Sequence, residues 1–264
     1  MPVRSENAKR LIVAASVLPV FYLAVTKFPP VLFLILLAAV SVLAQIEFYS
    51  MYKTKKPLAF IGALCGVSVF VTAFYHQPAT YYLLPIAFML ISSTRLFLIR
   101  DPAFSLKDIS PVIIGFLYIP NLLLAQWYLR LQGYEWILFL YGCVWASDSA
   151  AYYIGKRMGK KKLYKEVSPN KTVEGAFGSI AGGILSALLL GKLLLNAIPV
   201  HVLMLAGAAV GAITIVGDLV ESMFKRDAGV KDSGSFIPGH GGILDKIDGV
   251  LFAGPVLYWI ALAL

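Results

Sequence analysis

The chain has little charge. Asp, Glu, Lys and Arg make up 14% of its 264 residues, against 59% for hydrophobic types. So few charges cannot clothe a water-facing surface, which excludes an ordinary soluble globular protein. Cysteine is nearly absent. Cys65 and Cys143 lie far apart inside apolar runs, without metal-ligand spacing or a disulfide framework, and read as small core residues. Strand alternation, heptads, low-complexity tracts and tandem repeats are missing. There is no basic soluble region to carry nucleic acid, so no nucleic-acid partner is expected. The nucleotide-loop pattern G-x-x-x-x-G-K-[ST] is absent as well.

What the chain does have is long apolar runs. Nine can be read between charged or Pro/Gly breaks, at about 11–26, 30–52, 58–75, 80–99, 109–129, 134–154, 175–195, 199–220 and 246–263. The expected fold is therefore all-α, a polytopic membrane helix bundle of about nine transmembrane helices. The first run lacks a small-residue cleavage site and meets a second run at once, so it reads as a retained helix. Lys and Arg in the tail and successive connections alternate, with 19 on one side and 3 on the other. Basic residues stay on the inner side, which predicts a cytoplasmic N-terminus and places both polar C-terminal connections in the cytoplasm.

The chain changes character near residue 140. Residues 1–133 carry few intramembrane polar groups, chiefly Gln45, Glu47 and Arg95, and read as a supporting scaffold. Residues 134–264 carry Asp148, Glu174, Asp218, Glu221, Asp245 and Asp248 at or near segment ends and read as the chemical half. Small residues recur there. Gly207-x-x-x-Gly211 suits close helix packing, which in lipid proceeds without a hydrophobic driving force between helices.

The stretch from Gly217 to Gly249 is the most informative. Asp245 and Asp248, three residues apart, share a helix face at about 5–6 Å between Cβ atoms. Carboxylates so close repel unless protonated or bridged by a cation. Asp218 ends the preceding run and can supply a third, with Glu221 one turn further on. Oxygen donors without histidine suit Mg²⁺, with a second cation possible. Surface carboxylates balanced by Lys225, Arg226 and Lys246 are the alternative. Between the acids lies a Gly-rich loop, whose Gly241 and Gly242 precede a helix start where amides and dipole favour anions. His240 can donate to phosphate or carry a proton, or equally bond a loop carbonyl.

A second polar connection, 155–175, holds seven cations. Most read as a solvated inner loop. Its end, Ser168-Pro169-Asn170-Lys171-Thr172-Val173-Glu174-Gly175, packs hydroxyl, amide, ammonium and carboxylate groups at a membrane entry point. These can bind phosphate and nucleotide oxygens, or simply cap a helix. Asp148, toward the inner end of the sixth run, calls for a partner such as Lys171 or a bound cation.

These residues carry a resemblance. The run from Ser222 through Lys225-Arg226, Lys231-Asp232, Gly234, Ile237-Pro238-Gly239-His240-Gly241-Gly242-Ile243 and Asp245-Lys246 to Asp248 resembles the signature of phosphatidate cytidylyltransferases, the CDP-diacylglycerol synthases. Ser168-Pro169-x-Lys171-Thr172-x-Glu174-Gly175 is similar to that family's SPxKTxEG element, and Asp148-x-x-Ala151-Tyr152 to its D-x-x-A-Y element. Lys246 stands where the family usually has Arg, which keeps a cation and loses a bidentate fork. The resemblance implies a Mg²⁺-dependent reaction of CTP with phosphatidate, giving CDP-diacylglycerol and pyrophosphate. It implies metal binding at Asp218, Asp245 and Asp248, with Lys225, Arg226 and Lys231 at the reacting phosphates. Substrate contacts are implied at Ser168, Asn170, Lys171, Thr172, Glu174, Asp148, Ser222, Asp232, His240, Gly241, Gly242 and Lys246. It further implies a homodimer in a bacterial inner membrane, with the active site facing the cytoplasm.

Two other readings remain open at this point. An ion-coupled transporter would use Asp148, Asp218 and Asp248 as cation sites, but needs acids near mid-membrane. A CTP-using enzyme acting on an isoprenoid lipid would share the nucleotide and metal motifs.

Overall fold

Prolines and glycines punctuate the apolar runs, and several helices begin or end beside them, at Pro30, Pro120, Gly133, Gly159 and Pro199. The computed structural model describes residues 18–75, 82–236 and 241–264. Residues 18–26 are helical, followed by a short turn at Lys27 and Phe28. Then come α1 (Pro30–Met51), α2 (Lys56–Phe74), α3 (Leu83–Leu98), α4 (Ser105–Tyr118), α5 (Pro120–Gln132) and α6 (Tyr134–Met158). A hairpin of β1 (Lys162–Tyr164) and β2 (Ser168–Thr172) leads into α7 (Val173–Leu194), α8 (Val200–Asp227) and α9 (Leu244–Leu262). Pro30 sits at the start of α1, where its missing N–H has no intrahelical partner to lose. Pro120 divides the run expected at 109–129 into α4 and α5, because its ring cannot continue the hydrogen-bond ladder.

Among the described residues, five helical stretches are long and apolar enough to cross a bilayer: Pro30–Met51, Lys56–Phe74, Ser105–Gln132, Val173–Leu194 and Val200–Asp227. The protein is thus an all-α membrane helical protein. The remaining helices are shorter or more polar. α3 has 16 residues, α6 carries Glu135, Asp148, Lys156 and Arg157, and α9 opens with Asp245, Lys246 and Asp248.

The hairpin is the one element that sequence reading did not anticipate. β1 and β2 pair antiparallel, Lys162 opposite Thr172 and Tyr164 opposite Ser168, with an irregularity between. Strands of three and five residues, polar and mostly exposed, leave no apolar alternation to detect. Pro169 is tolerated because β2 has a partner on one side only.

Two compact units form. One comprises residues 1–124 with 232–245, the other 125–231 with 246–264. In the first, α2 packs on α1, α3 and α4. Gln45 Nε2 donates to Tyr49 Oη at 2.9 Å and to the Gly62 carbonyl at 3.2 Å, linking α1 to α2. Arg95, 3% exposed, is neutralised by Asp108 at 2.7 Å, donates to the Ala103 carbonyl at 2.8 Å and also bonds the Ile99 carbonyl. Lys55 reaches the same carboxylate at 2.9 Å. A cation inside an apolar run is thereby paired, as membrane burial demands.

In the second unit α7 packs on both α6 and α8. Its glycines decide how closely. A Cβ at Gly207 would lie 2.6 Å from Ala187 Cβ and 2.8 Å from the Gly183 carbonyl carbon, and one at Gly211 would lie 2.6 Å from the Ser179 carbonyl oxygen. Ser179 Oγ uses that proximity to donate to the Gly211 carbonyl at 2.8 Å. The same device operates between α8 and α9, where a Cβ at Gly217 would lie 2.6 Å from the Asp248 carbonyl oxygen. That approach brings the carboxylates of the site together.

Candidate functional site: a carboxylate group beside a basic hairpin

α8 runs past the expected end at 220 as far as Asp227, since nothing between Asp218 and Asp227 breaks a helix. Gly229 then takes φ +72, a left-handed turn that suits glycine. The extension puts Asp218, Glu221, Ser222, Lys225 and Arg226 on helical backbone. Asp218 and Glu221, three apart, share a face, and Asp248 on α9 joins them. One ligand oxygen from each of the three lies within 4.8 Å of the others. Glu221, noted in the sequence as one turn beyond Asp218, completes the group.

Asp218 and Glu221 have partners of opposite charge. Lys171 Nζ pairs with Asp218 Oδ2 at 2.6 Å, and Ser222 Oγ donates to Asp218 Oδ1 at 3.2 Å. Glu221, 1% exposed, is ion-paired with Lys225 one turn along α8. Burying this many acids needs cations near at hand, and two lysines supply them. An all-oxygen carboxylate group of this kind fits a hard divalent cation, which prefers oxygen ligands and keeps waters or phosphates as the rest of its shell.

Beside Asp218 lies a cavity of about 540 Å³, lined by Asp148, Tyr152, Lys156, Lys162, Asn170 and Lys171 among others. Two stretches singled out in the sequence thus meet at one place, the S-P-x-K-T-x-E-G run, which β2 and the start of α7 carry, and the D-x-x-A-Y run of α6. Thr172 is buried and caps α7, accepting from Gly175 N at 3.1 Å. Glu174 accepts from Lys160 N at 3.0 Å and Lys161 N at 3.3 Å, tying the hairpin's entry to its exit. Ser168 is half-buried in β2, and Asn170 is exposed. Arg226 donates to the Val167 carbonyl at 3.3 Å and the Val230 carbonyl at 2.9 Å.

Asp245 has a different set of partners. Its Oδ2 accepts from Gly242 N at 2.7 Å, Ser233 Oγ at 2.9 Å and Ser233 N at 3.1 Å, all within the first unit. Gly241, at φ +86, makes the turn that presents the Gly242 amide. Lys231, Asp232 and Lys246 are exposed. His240 lies outside the described residues.

Glu47 is the residue that sequence reading left in the scaffold. It is 9% exposed and accepts from Ile243 N and Leu244 N, both at 2.9 Å. One signal was available: it is the sole charged residue of α1.

The chain is similar to a phosphatidate cytidylyltransferase of Staphylococcus epidermidis, 41% identical over 179 residues that cover 66% of each protein. A phosphatidate cytidylyltransferase of Bacillus subtilis is 46% identical over 137 residues, 50% of this chain and 49% of the relative. An uncharacterized Escherichia coli protein, YnbB, is 38% identical over 185 residues, 67% of this chain and 61% of its own length. The chain thus spans about two thirds or less of the curated relatives it matches. A model described as the Cytidylyltransferase family matches residues 8–264. A match from residue 8 to the last leaves little of the sequence outside that description: the chain belongs to the cytidylyltransferase family.

Proposed function

We propose that the protein is a Mg²⁺-dependent phosphatidate cytidylyltransferase, joining CTP and phosphatidate to give CDP-diacylglycerol and pyrophosphate. The observation that carries this reading is Asp218, which belongs to the three-carboxylate group and also lines the basic cavity. Cation-binding oxygens and phosphate-binding lysines thus meet at one side chain. The relatives named for this activity support the same substrate pair.

In this reaction a phosphate oxygen of phosphatidate attacks the α-phosphorus of CTP. A new P–O bond forms, the bond to the β-phosphate oxygen breaks, and pyrophosphate leaves with the electron pair. Phosphatidate is already anionic near neutral pH, so no strong base is needed. Catalysis rests on positioning and charge neutralisation. A divalent ion held by Asp218, Glu221 and Asp248 supplies Lewis-acid stabilisation of the phosphate oxygens when bound. Lys171, Lys225, Arg226 and Lys231 neutralise the transferred and leaving phosphates. Asp245 belongs with the acidic site by resemblance, and from the first turn of α9 it holds the preceding loop through Ser233 and Gly242.

Ser168, Asn170, Thr172, Glu174, Asp148, Ser222, Asp232, His240, Gly241, Gly242 and Lys246 complete the substrate surroundings. The proposal includes nine crossings, a cytoplasmic N-terminus, a cytoplasm-facing site in a bacterial inner membrane, and a homodimer. Residues 1–133 act as scaffold and 134–264 carry the chemistry.

The test is to incubate purified protein with CTP, phosphatidate and MgCl₂ and follow pyrophosphate and CDP-lipid. Both products should appear together and vanish with EDTA. A preparation that consumes CTP only with an isoprenoid phosphate, or not at all, overturns the assignment.

A further inference from the structure

Glu47 sits in α1, nearly two hundred residues before the loop it binds, and within a helix otherwise free of charge. Its two carboxylate oxygens are divided between neighbouring donors. Oε1 accepts from Ile243 N at 2.9 Å, and Oε2 accepts from Leu244 N at 2.9 Å and Ser233 Oγ at 3.3 Å. Leu244 is the first residue of α9, so these are amides that the helix itself cannot satisfy. A carboxylate there also complements the positive end of the helix dipole.

The loop is shaped around this side chain. A Cβ at Gly234 would lie 2.8 Å from Glu47 Oε1, and one at Gly242 would collide with Glu47 Oε2 and Ser233 Oγ. The Ser233 hydroxyl stands within reach of both Glu47 Oε2 and Asp245 Oδ2, at 3.3 and 2.9 Å. Its single hydrogen can serve only one at a time, so the serine links the two acids. All these groups lie within one compact unit.

We propose that Glu47 is a positioning residue for the reaction, clamping the start of α9 so that the helix presents its acids at a set height and rotation. Leu244 and Asp248 are four residues apart on one helix, so the amide that Glu47 holds lies one turn before Asp248 along α9. A slip of one residue at the helix start would shift that carboxylate by about 1.5 Å along the axis and about 100° around it. Glu47 thus acts through the helix and touches no substrate. The kinetic part of this inference rests on the proposed cytidylyl transfer, and the structural part does not.

The experiment pairs steady-state kinetics with amide hydrogen exchange on detergent-solubilised full-length protein, wild type against Glu47→Gln. The amide variant keeps the shape but turns an acceptor into a donor facing other donors. The expected result is a fall in kcat of about ten- to a hundredfold, with KM for CTP changed by less than about threefold. Exchange at Ser233 and residues 241–246 should quicken while α6, α7 and α8 keep wild-type protection. If Glu47→Gln does not accumulate, Gly234→Ala serves instead, since its methyl would push on the same carboxylate, and the same pattern is expected. Wild-type kcat in the variant, or lost kcat with unchanged exchange at the start of α9, overturns the proposal. Should the wild type itself transfer no cytidylyl group, the reaction assignment fails, and the exchange comparison decides the clamp alone.

Discussion

Lys171, near the end of β2, is ion-paired with Asp218 of α8 at 2.6 Å. The hairpin and the helix are thereby joined through the two groups that the proposed chemistry uses most, a phosphate-binding cation and a cation-binding acid. Removing the ammonium leaves Asp218 without its ion-pair partner and takes away one of the three lysines that line the cavity, the others being Lys156 and Lys162. Lys171→Met is expected to lower kcat/KM for CTP at least about a hundredfold, in line with the loss of a charge-assisted contact made in a water-poor site. Lys171→Arg should recover only part of this, because a planar fork cannot replace a point charge at so short a distance. Pyrophosphate release across a CTP titration checks both.

The three-carboxylate group predicts a divalent site with a defined membership. Asp218→Asn, Glu221→Gln and Asp248→Asn should each weaken Mn²⁺ binding by at least about tenfold, since a neutral amide is a poor ligand for a hard cation. Melting temperature in detergent should stay near wild type for Asp218→Asn, whose side chain is 37% exposed. Calorimetric or paramagnetic titration reads the affinity, and unchanged binding in all three variants removes the metal site.

Asp245 and Asp248 are expected to separate in the same titration. Asp245→Asn should abolish turnover, as should Asp248→Asn. The Asp245 variant places an amide where Ser233 and Gly242 donate, so its Mn²⁺ affinity should fall by less than about threefold if its role is to hold the loop. A loss as large as that of Asp248→Asn would make Asp245 a direct ligand.

Helix packing in the second unit predicts an effect on stability without one on chemistry. Gly207→Val inserts atoms against Ala187 and the Gly183 backbone, and is expected to cost about 1–3 kcal/mol of overpacking strain. Leu205→Ala, at a side chain 63% exposed on the same helix, should leave the melting temperature nearly unchanged. A thermal melt of both variants in one detergent provides the comparison.

How much of this was legible beforehand differs from residue to residue. Asp218, Asp245 and Asp248 stood out because acids at the edges of apolar runs are costly without partners. The glycines of α7 and α8 were readable as packing positions from their four-residue spacing. The hairpin was not, because its short, polar strands have no buried face to create a pattern. The helical state of Ser222 through Arg226 was missed for a related reason. Hydropathy falls at Val220, but backbone hydrogen bonding does not stop there.

Composition and local pattern alone determined that this is a helical membrane protein with an acidic, phosphate-oriented C-terminal half, because burial in lipid leaves its mark on every stretch of sequence that undergoes it. Which acids gather, and which lysine pairs with which, was decided only by tertiary structure. Those facts depend on how near two helices approach, and a Cβ absent at Gly217 matters there as much as any charge. The clearest case is Glu47. Its partners lie 196 and 197 residues away, and no local regularity of a chain encodes a hydrogen bond between segments that only folding brings together.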